Sequence, residues 1–157
     1  MIRIAVFSDT HGNLSRLDAA MRRIQPVQAV IHLGDFAADA IRIAAALGVP
    51  YHAVRGNCDA TDDFPAEQVV RREKAALLLT HGNRYGSAWT LAQEANQRHC
   101  QAALFGHSHI PLLRNEGGVL LINPGSLSQP RRGSAHGFCV LTIDNAELSA
   151  QMVALPA

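Results

Sequence analysis

Residues 2–13 read "IRIAVFSDTHGN", and they decide the fold. Ile2–Phe7 is a near-continuous apolar run rich in β-branched residues, the pattern of a strand covered on both faces. Gly12 and Asn13 then suit a tight turn, and Asn13 or Ser15 suits the cap of a following helix. Neither explains Asp9 and His11, two metal-ligand types one residue apart. Their meaning depends on what the other strands release at the same end.

Outward from this stretch, the pattern repeats. Residues 14–25 place Leu14, Leu17, Met21 and Ile24 on one helical face, with Pro26 after them. Residues 28–33 form a second buried strand. Residues 37–47 are rich in alanine and stop at Gly48, as a helix does. Residues 51–54 are a short third strand. This β-α-β-α-β order implies a parallel sheet with right-handed crossovers. Beyond it, strands are expected over 68–70, 75–79, 102–105, 119–122, 138–143 and 148–153, the last two as a hairpin through "DNAE". A helix over 87–99 has Ser87 as its cap. Many strands and few helices suggest two packed sheets with helices outside.

Composition narrows the function classes. A chain of 157 residues, 48% hydrophobic and 17% charged, suits one globular domain over 1–157. Its formal net charge is +1 and it has no basic run, so it lacks an electrostatic footprint for nucleic acid. No apolar run approaches the roughly 20 residues of a membrane span. "MIRIAVFSD" lacks the long apolar stretch and cleavage site of a signal peptide. Cys58, Cys100 and Cys139 form no CxxC pair, and an odd count points to a reducing cytoplasm. The informative excess is histidine, with eight residues.

The strand ends answer the opening question. The first strand releases Asp9 and His11, and the second, "AVIHL", releases Gly34 and Asp35. The third, "YHAV", releases "RGNCD", with Asn57 and Asp59. "ALLLT" releases His81 and Gly82, and "AALF" releases Gly106, His107 and His109. In α/β sheets that edge is where ligand sites form. Taken singly, each residue has a plainer reading: Asp9 a turn or cap, Asn57 a turn residue, His81 a satisfied strand-end histidine. Together these readings leave the repeated placement unexplained. Clustered carboxylates and imidazoles lose water with few donors to replace it, and metal coordination answers that penalty. Asp9, His11, Asp35, Asn57, His81, His107 and His109 are too many ligands for one tetrahedral zinc. They suit two divalent ions sharing one carboxylate. The donor mix suits manganese first, with nickel, iron or zinc as alternatives. Two such ions against two aspartates and a hydroxide leave the site positive, which attracts a phosphate ester.

At these residues the sequence resembles the calcineurin-like metallophosphoesterase superfamily, whose motif order is DxH, GD, GN, H and GHxH. The short length, "GNCD" and "NPGS" (Asn123 to Ser126) resemble its small YfcE-type phosphodiesterase subfamily. The resemblance implies a four-layer α/β/β/α sandwich of two mixed β-sheets flanked by helices. It gives the first ion Asp9, His11, Asp35 and His109. The second takes Asp35, Asn57, His81 and His107, with Asp35 bridging. Asp35, Asn57 and His81 stand as the catalytic residues. A hydroxide bridging the two ions would attack in line, with no covalent phospho-enzyme. The implied partner is a small phosphodiester substrate; assembly as a homo-oligomer is left open.

One departure matters. Phosphomonoesterases of the superfamily usually carry histidine after the GN asparagine, where it protonates the leaving oxygen, and here that position is Cys58. A thiol is a poor substitute, which favours phosphodiesters or good leaving groups. The plainer reading of Cys58 is a packed small residue. His32 is expected to orient a ligand, Asn123 to support the site and Arg131 to meet the substrate's phosphate. His52, His99 and His136 carry no functional reading. The rival function is a non-catalytic interaction module, like the retromer subunit that shares this fold. It would be favoured by replaced ligands, and none is replaced.

Overall fold

Successive residues of the opening strand face different layers, and this places everything else. The computed structural model describes all 157 residues. One sheet contains β1 (Ile2–Phe7), β2 (Ala29–His32), β3 (Tyr51–Ala53), β9 (Gly137–Asp144) and β10 (Glu147–Ala154), in the order β10-β9-β1-β2-β3. The other contains β4 (Glu67–Arg72), β5 (Ala75–Thr80), β6 (Ala102–Leu104), β7 (Leu112–Glu116) and β8 (Val119–Asn123), in the order β4-β5-β6-β8-β7. Both sheets are mixed. β1, β2 and β3 run parallel, as do β5, β6 and β8, while β9, β10, β4 and β7 pair antiparallel.

Ile4 and Val6 of β1 point between the sheets, where they pack with Ile31, Leu77, Leu79, Leu104 and Ile122. Ala5 and Phe7 point the other way, onto Ala20 of α1 (Leu17–Arg23) and Ile43 and Ala44 of α2 (Asp39–Leu47). On the second sheet, Ala76, Leu78, Ala103 and Leu121 pack against Leu91, Ala92 and Ala95 of α3 (Ala88–Gln97). The layers are therefore helix, sheet, sheet, helix. Burial on both faces explains the near-continuous apolar runs of β1 and β5.

Most expected elements are present, with two differences. The first helix starts at Leu17, not at residue 14. Asn13 closes a turn instead, its Oδ1 accepting the Ser15 N–H at 3.0 Å, and α1 has no side-chain cap. β7 was not expected, because "LLRNE" sits on the sheet edge and three of its residues are exposed. It pairs with β8 through Gly117 and Gly118, both with positive φ, as a two-residue hairpin turn requires. The Ser87 cap is as expected, its hydroxyl accepting the Thr90 N–H at 3.1 Å. The cysteines are all free. No helix is long and apolar enough to cross a membrane.

Candidate metal centre

The C-terminal ends of β1, β2, β3, β5 and β6 converge on one point between the two sheets. Ligand atoms of Asp9, His11, Asp35 and His109 all lie within 4.8 Å of one another. His109 Nε2 is 3.2 Å from Asp9 Oδ1 and 3.4 Å from His11 Nε2, and His11 Nε2 is 3.6 Å from Asp35 Oδ2. His81 Nε2 adjoins them, 3.4 Å from Asp35 Oδ1 and 3.8 Å from Asp9 Oδ1.

The protonation of the rings follows from their other nitrogens. His81 Nδ1 meets the Leu33 carbonyl at 2.7 Å and His109 Nδ1 meets the Gln129 carbonyl at 2.6 Å. A carbonyl only accepts, so each Nδ1 donates and each neutral ring aims the Nε2 lone pair into the cluster. Asp9 Oδ1 and His81 Nε2 are buried with no hydrogen-bond partner. Apart from His11, whose Nε2 is free to donate to His109, these converging lone pairs and carboxylate oxygens have no donor among themselves, and a divalent cation supplies what they lack. The donor set therefore fits a metal.

Charge follows the same logic. Burial raises the Asp9 carboxyl above its usual range, against the opposing pull of Ser8, His81 and His109. Burial also opposes ionisation of Asp35, but the neighbouring His81 ring and the Cys58 N–H outweigh it and hold Asp35 below the carboxylate range. Burial works against the charged form of His81, yet Asp35 and Asp9 raise it overall. The oxygens that would hold a cation thus also favour a proton on His81, so metal and proton compete.

The backbone is bent to deliver these groups. Asp9, His11, Asp35, His107 and His109 all have positive φ, between 50° and 71°. Asp and His tolerate that region better than most residues, but it is sparsely populated and is held by its surroundings. A Cβ at Gly106 would run into the Ser8 hydroxyl and the Asp9 carboxylate, and one at Gly56 into Asp35.

The other expected residues take distinct places. His107 is exposed, its ring edge-on to His81 at 5.2 Å, while its backbone N–H donates to Asp9 Oδ2 at 3.0 Å. Asn57 is exposed at the rim, its amide meeting Cys58 Sγ at 3.6 Å. Cys58 is not a packed residue: it too is exposed, because the turn after β3 places it on the open side of the site. Loss of solvation and the neighbouring Asp35 push its thiol up. His32 makes no hydrogen bond to a candidate ligand side chain. It accepts the Gly34 N–H at 3.1 Å and meets the Thr10 hydroxyl at 2.8 Å, so it fixes the two loops that carry Asp9, His11 and Asp35. Asn123 donates to the Gly106 carbonyl and to Ser108 Oγ, both at 3.0 Å, and so holds the "GHSH" loop. The Arg131 side chain is exposed, and its backbone N–H donates to the His109 carbonyl at 3.3 Å.

Two aspartates build the site beyond the expected ligands: Asp59, expected only as a strand-end residue, and Asp39, which was not expected at all. Asp59 accepts the N–H groups of Asp35, Phe36, Ala37 and Gly56 at 2.7–3.0 Å. Asp39 accepts the Thr10 hydroxyl at 2.6 Å and the Gly12 N–H at 3.1 Å. Asp59 sits in "RGNCD" and Asp39 in the first turn of α2, where aspartate has an ordinary role.

Comparison with known proteins agrees with this geometry. The calcineurin-like phosphoesterase superfamily domain matches residues 2–146. This chain belongs to that superfamily. The probable metallophosphoesterase YsnB of Bacillus subtilis is 32% identical over 92% of this chain and 86% of its own. Phosphodiesterase YfcE of Escherichia coli K12 is 31% identical over 95% of this chain and 91% of its own. A predicted phosphoesterase of Streptococcus pneumoniae superposes with a TM-score of 0.80 at 27% identity, over 98% of this chain and 89% of that one. Vps29 of Entamoeba histolytica, solved with Zn²⁺, superposes with a TM-score of 0.77 over 98% and 99% of the two chains. At 19% identity that last likeness concerns the fold alone. The two mixed sheets flanked by helices are the calcineurin-like phosphoesterase fold.

Proposed function

We propose that this phosphoesterase is a phosphodiesterase that works with two divalent ions, manganese first among the candidates, on a small phosphodiester in the cytoplasm. The observation that carries it is the pair of buried, unpartnered atoms, Asp9 Oδ1 and His81 Nε2, among convergent lone pairs. Asp9, His11, Asp35 and His109 would hold one ion, and Asp35, Asn57, His81 and His107 the other. Bound there, the ions would supply Lewis acidity and a water acidic enough to attack phosphorus in line at neutral pH. Asp35 offers one oxygen toward His11 and the other toward His81, so it borders both proposed ligand groups. Leu33 and Gln129 keep His81 and His109 in the tautomer that binds metal. His32, Thr10, Asp39 and Asp59 hold the loops at ligand distance. The YfcE relative is named a phosphodiesterase, which agrees with this reading.

The rival reading, an interaction module resembling Vps29, has the fold likeness for it. Elemental analysis and turnover separate the two. Manganese-saturated protein should carry close to two ions per chain and hydrolyse bis(4-nitrophenyl) phosphate. Asp35→Asn should lose more activity than the roughly 10–100-fold that removing a supporting hydrogen bond costs, and His32→Gln should stay within that range. A metal-saturated protein with one ion, or with no hydrolysis, would overturn the proposal.

A further inference from the structure

We propose that Phe36 and the groove beside it bind an aromatic, uncharged ester group of the substrate; this rests on the phosphodiesterase reading. Phe36 directly follows Asp35 and is 49% exposed. Its φ is 78°, a conformation that a bulky side chain rarely adopts. The Asp59 carboxylate holds it there, accepting the Phe36 N–H at 2.9 Å. A side chain needed only for packing would be buried on relaxed backbone. This one is turned outward over the turn that carries His11, with ring atoms 3.8 Å from where a Gly12 Cβ would stand.

Beside the ring is a groove of about 300 Å³ whose lining includes Phe36, Ala38, Cys58, Ala60, Asp63 and Phe64. It adjoins the candidate metal centre: Cys58, on its lining, donates its N–H to Asp35 Oδ1 at 2.9 Å, and Phe36 directly follows Asp35. Phe64 packs on Ala37, Ala40 and Ala53, which fixes the inner wall. A phosphoryl group on the candidate ligands would therefore have one ester arm between two aromatic side chains. Flat rings gain from such pairing beyond simple burial. Charge selects further. Both Asp59 oxygens are taken by backbone N–H groups, but Asp63 stands at the rim, its Oδ2 accepting the Thr61 hydroxyl at 2.8 Å. No basic residue lines the groove. An arm with a second phosphate is repelled, while a neutral ring is not.

The test is calorimetric binding of phenylphosphonate and methylphosphonate to manganese-loaded protein, beside turnover of two phosphodiesters with equally acidic leaving groups, one aryl and one fluoroalkyl. Wild type should bind phenylphosphonate on the order of tenfold tighter than methylphosphonate. Phe36→Ala should bring the two within about twofold, and Phe36→Tyr should keep the preference. Phe36→Gly adopts the same backbone without strain and gives the same readout if the alanine variant fails to fold. The aryl diester alone should lose turnover in Phe36→Ala. Equal binding of the two phosphonates by wild type, or a preference untouched by Phe36→Ala, overturns the proposal. A Phe36-dependent phenyl preference in a protein that hydrolyses neither diester supports the groove while removing the phosphodiesterase reading.

Discussion

The candidate metal centre has a buried half and an exposed half, built by different means. Asp9, His81 and His109 are at most 1% exposed and Asp35 is 3% exposed, whereas Asn57, Cys58 and His107 lie open to solvent. In the buried half, ring nitrogens are oriented by carbonyls and carboxylates by backbone N–H groups, so the ligand geometry exists without an ion. In the exposed half, Asn57 meets only a thiol 3.6 Å away, and the His107 ring is steadied by its edge contact with His81. The two halves draw differently on the folding energy. The buried half leaves polar atoms without partners, a cost that a bound ion would offset; the exposed half asks little of the fold.

The largest effect is metal removal. An ion that binds only the folded state, at about 1,000 times its dissociation constant, adds roughly 4 kcal/mol. For a chain of this size that raises the melting temperature by roughly 8–16 °C. Differential scanning calorimetry with manganese, and then with excess chelator, measures it. An unchanged transition after verified removal would mean that hydrogen bonds already satisfy the buried half.

Acid should act next, through His32. This ring is wholly buried, and burial lowers its pKa from 6.5 to about 4. Its Nδ1 accepts from the Gly34 N–H, so a second ring proton would face a donor. The sign follows: the neutral ring contributes stability that is full above 6.5 and is lost as pH falls toward 4. The shift corresponds to about 3 kcal/mol. In chelated protein, urea midpoints should fall more steeply over this range for wild type than for His32→Gln. Parallel slopes would show that His32 takes a proton without loss, and that the loops it joins are loose.

The contrast also explains what could be read from the sequence. The two-sheet fold was legible because β1 and β5 are buried on both faces, which leaves long apolar runs. The ligand types were legible because each lies past a strand end, five of the seven beside a glycine. The edge strand β7 was not, because its exposed residues follow no apolar alternation, although Gly117 and Gly118 marked its turn. Asp59 and Asp39 were not, because their work is to hold backbone N–H groups far away in sequence: Asp39 to Gly12, Asp59 to Asp35. The positive φ values at five candidate ligands were also hidden, since they arise from the packing of loops that meet only in the folded chain. Cys58 was misjudged for the same reason, its exposure being set by that turn.

Asp9→Asn gives a smaller effect, of a sign that ordinary mutational logic does not expect. Asp9 Oδ1 and His81 Nε2 are both acceptors without donors, and His109 Nε2 is 3.2 Å from the same oxygen. An asparagine could keep its oxygen on Ser8 and the His107 N–H and turn its amide toward these ring nitrogens. Its positive φ of 55° suits asparagine as well as aspartate. Relieving one unsatisfied buried group is worth about 1–3 kcal/mol. Chelated Asp9→Asn should therefore be more stable than chelated wild type in urea, while metal binding and turnover fall. A less stable variant would mean that the buried half is not strained by its own ligands.

The smallest effect belongs to the exposed half. Asn57 is exposed and has an ordinary backbone conformation, so Asn57→Ala should change the stability of chelated protein by less than about 0.5 kcal/mol. Its effect should appear only in the metal. On the proposed two-ion reading, Asn57→Ala would deprive the second ion of its amide oxygen and leave it a shared carboxylate and two imidazoles. At manganese just sufficient to fill wild type, bound metal should drop from two ions per chain toward one. Elemental analysis and urea unfolding of the same preparation separate the outcomes. Two ions retained at limiting manganese would remove Asn57 from the ligand set. A loss of stability comparable to that from a core substitution would show that the rim supports the fold, and the division into a buried, pre-built half and an exposed, ion-organised half would fail at its outer edge.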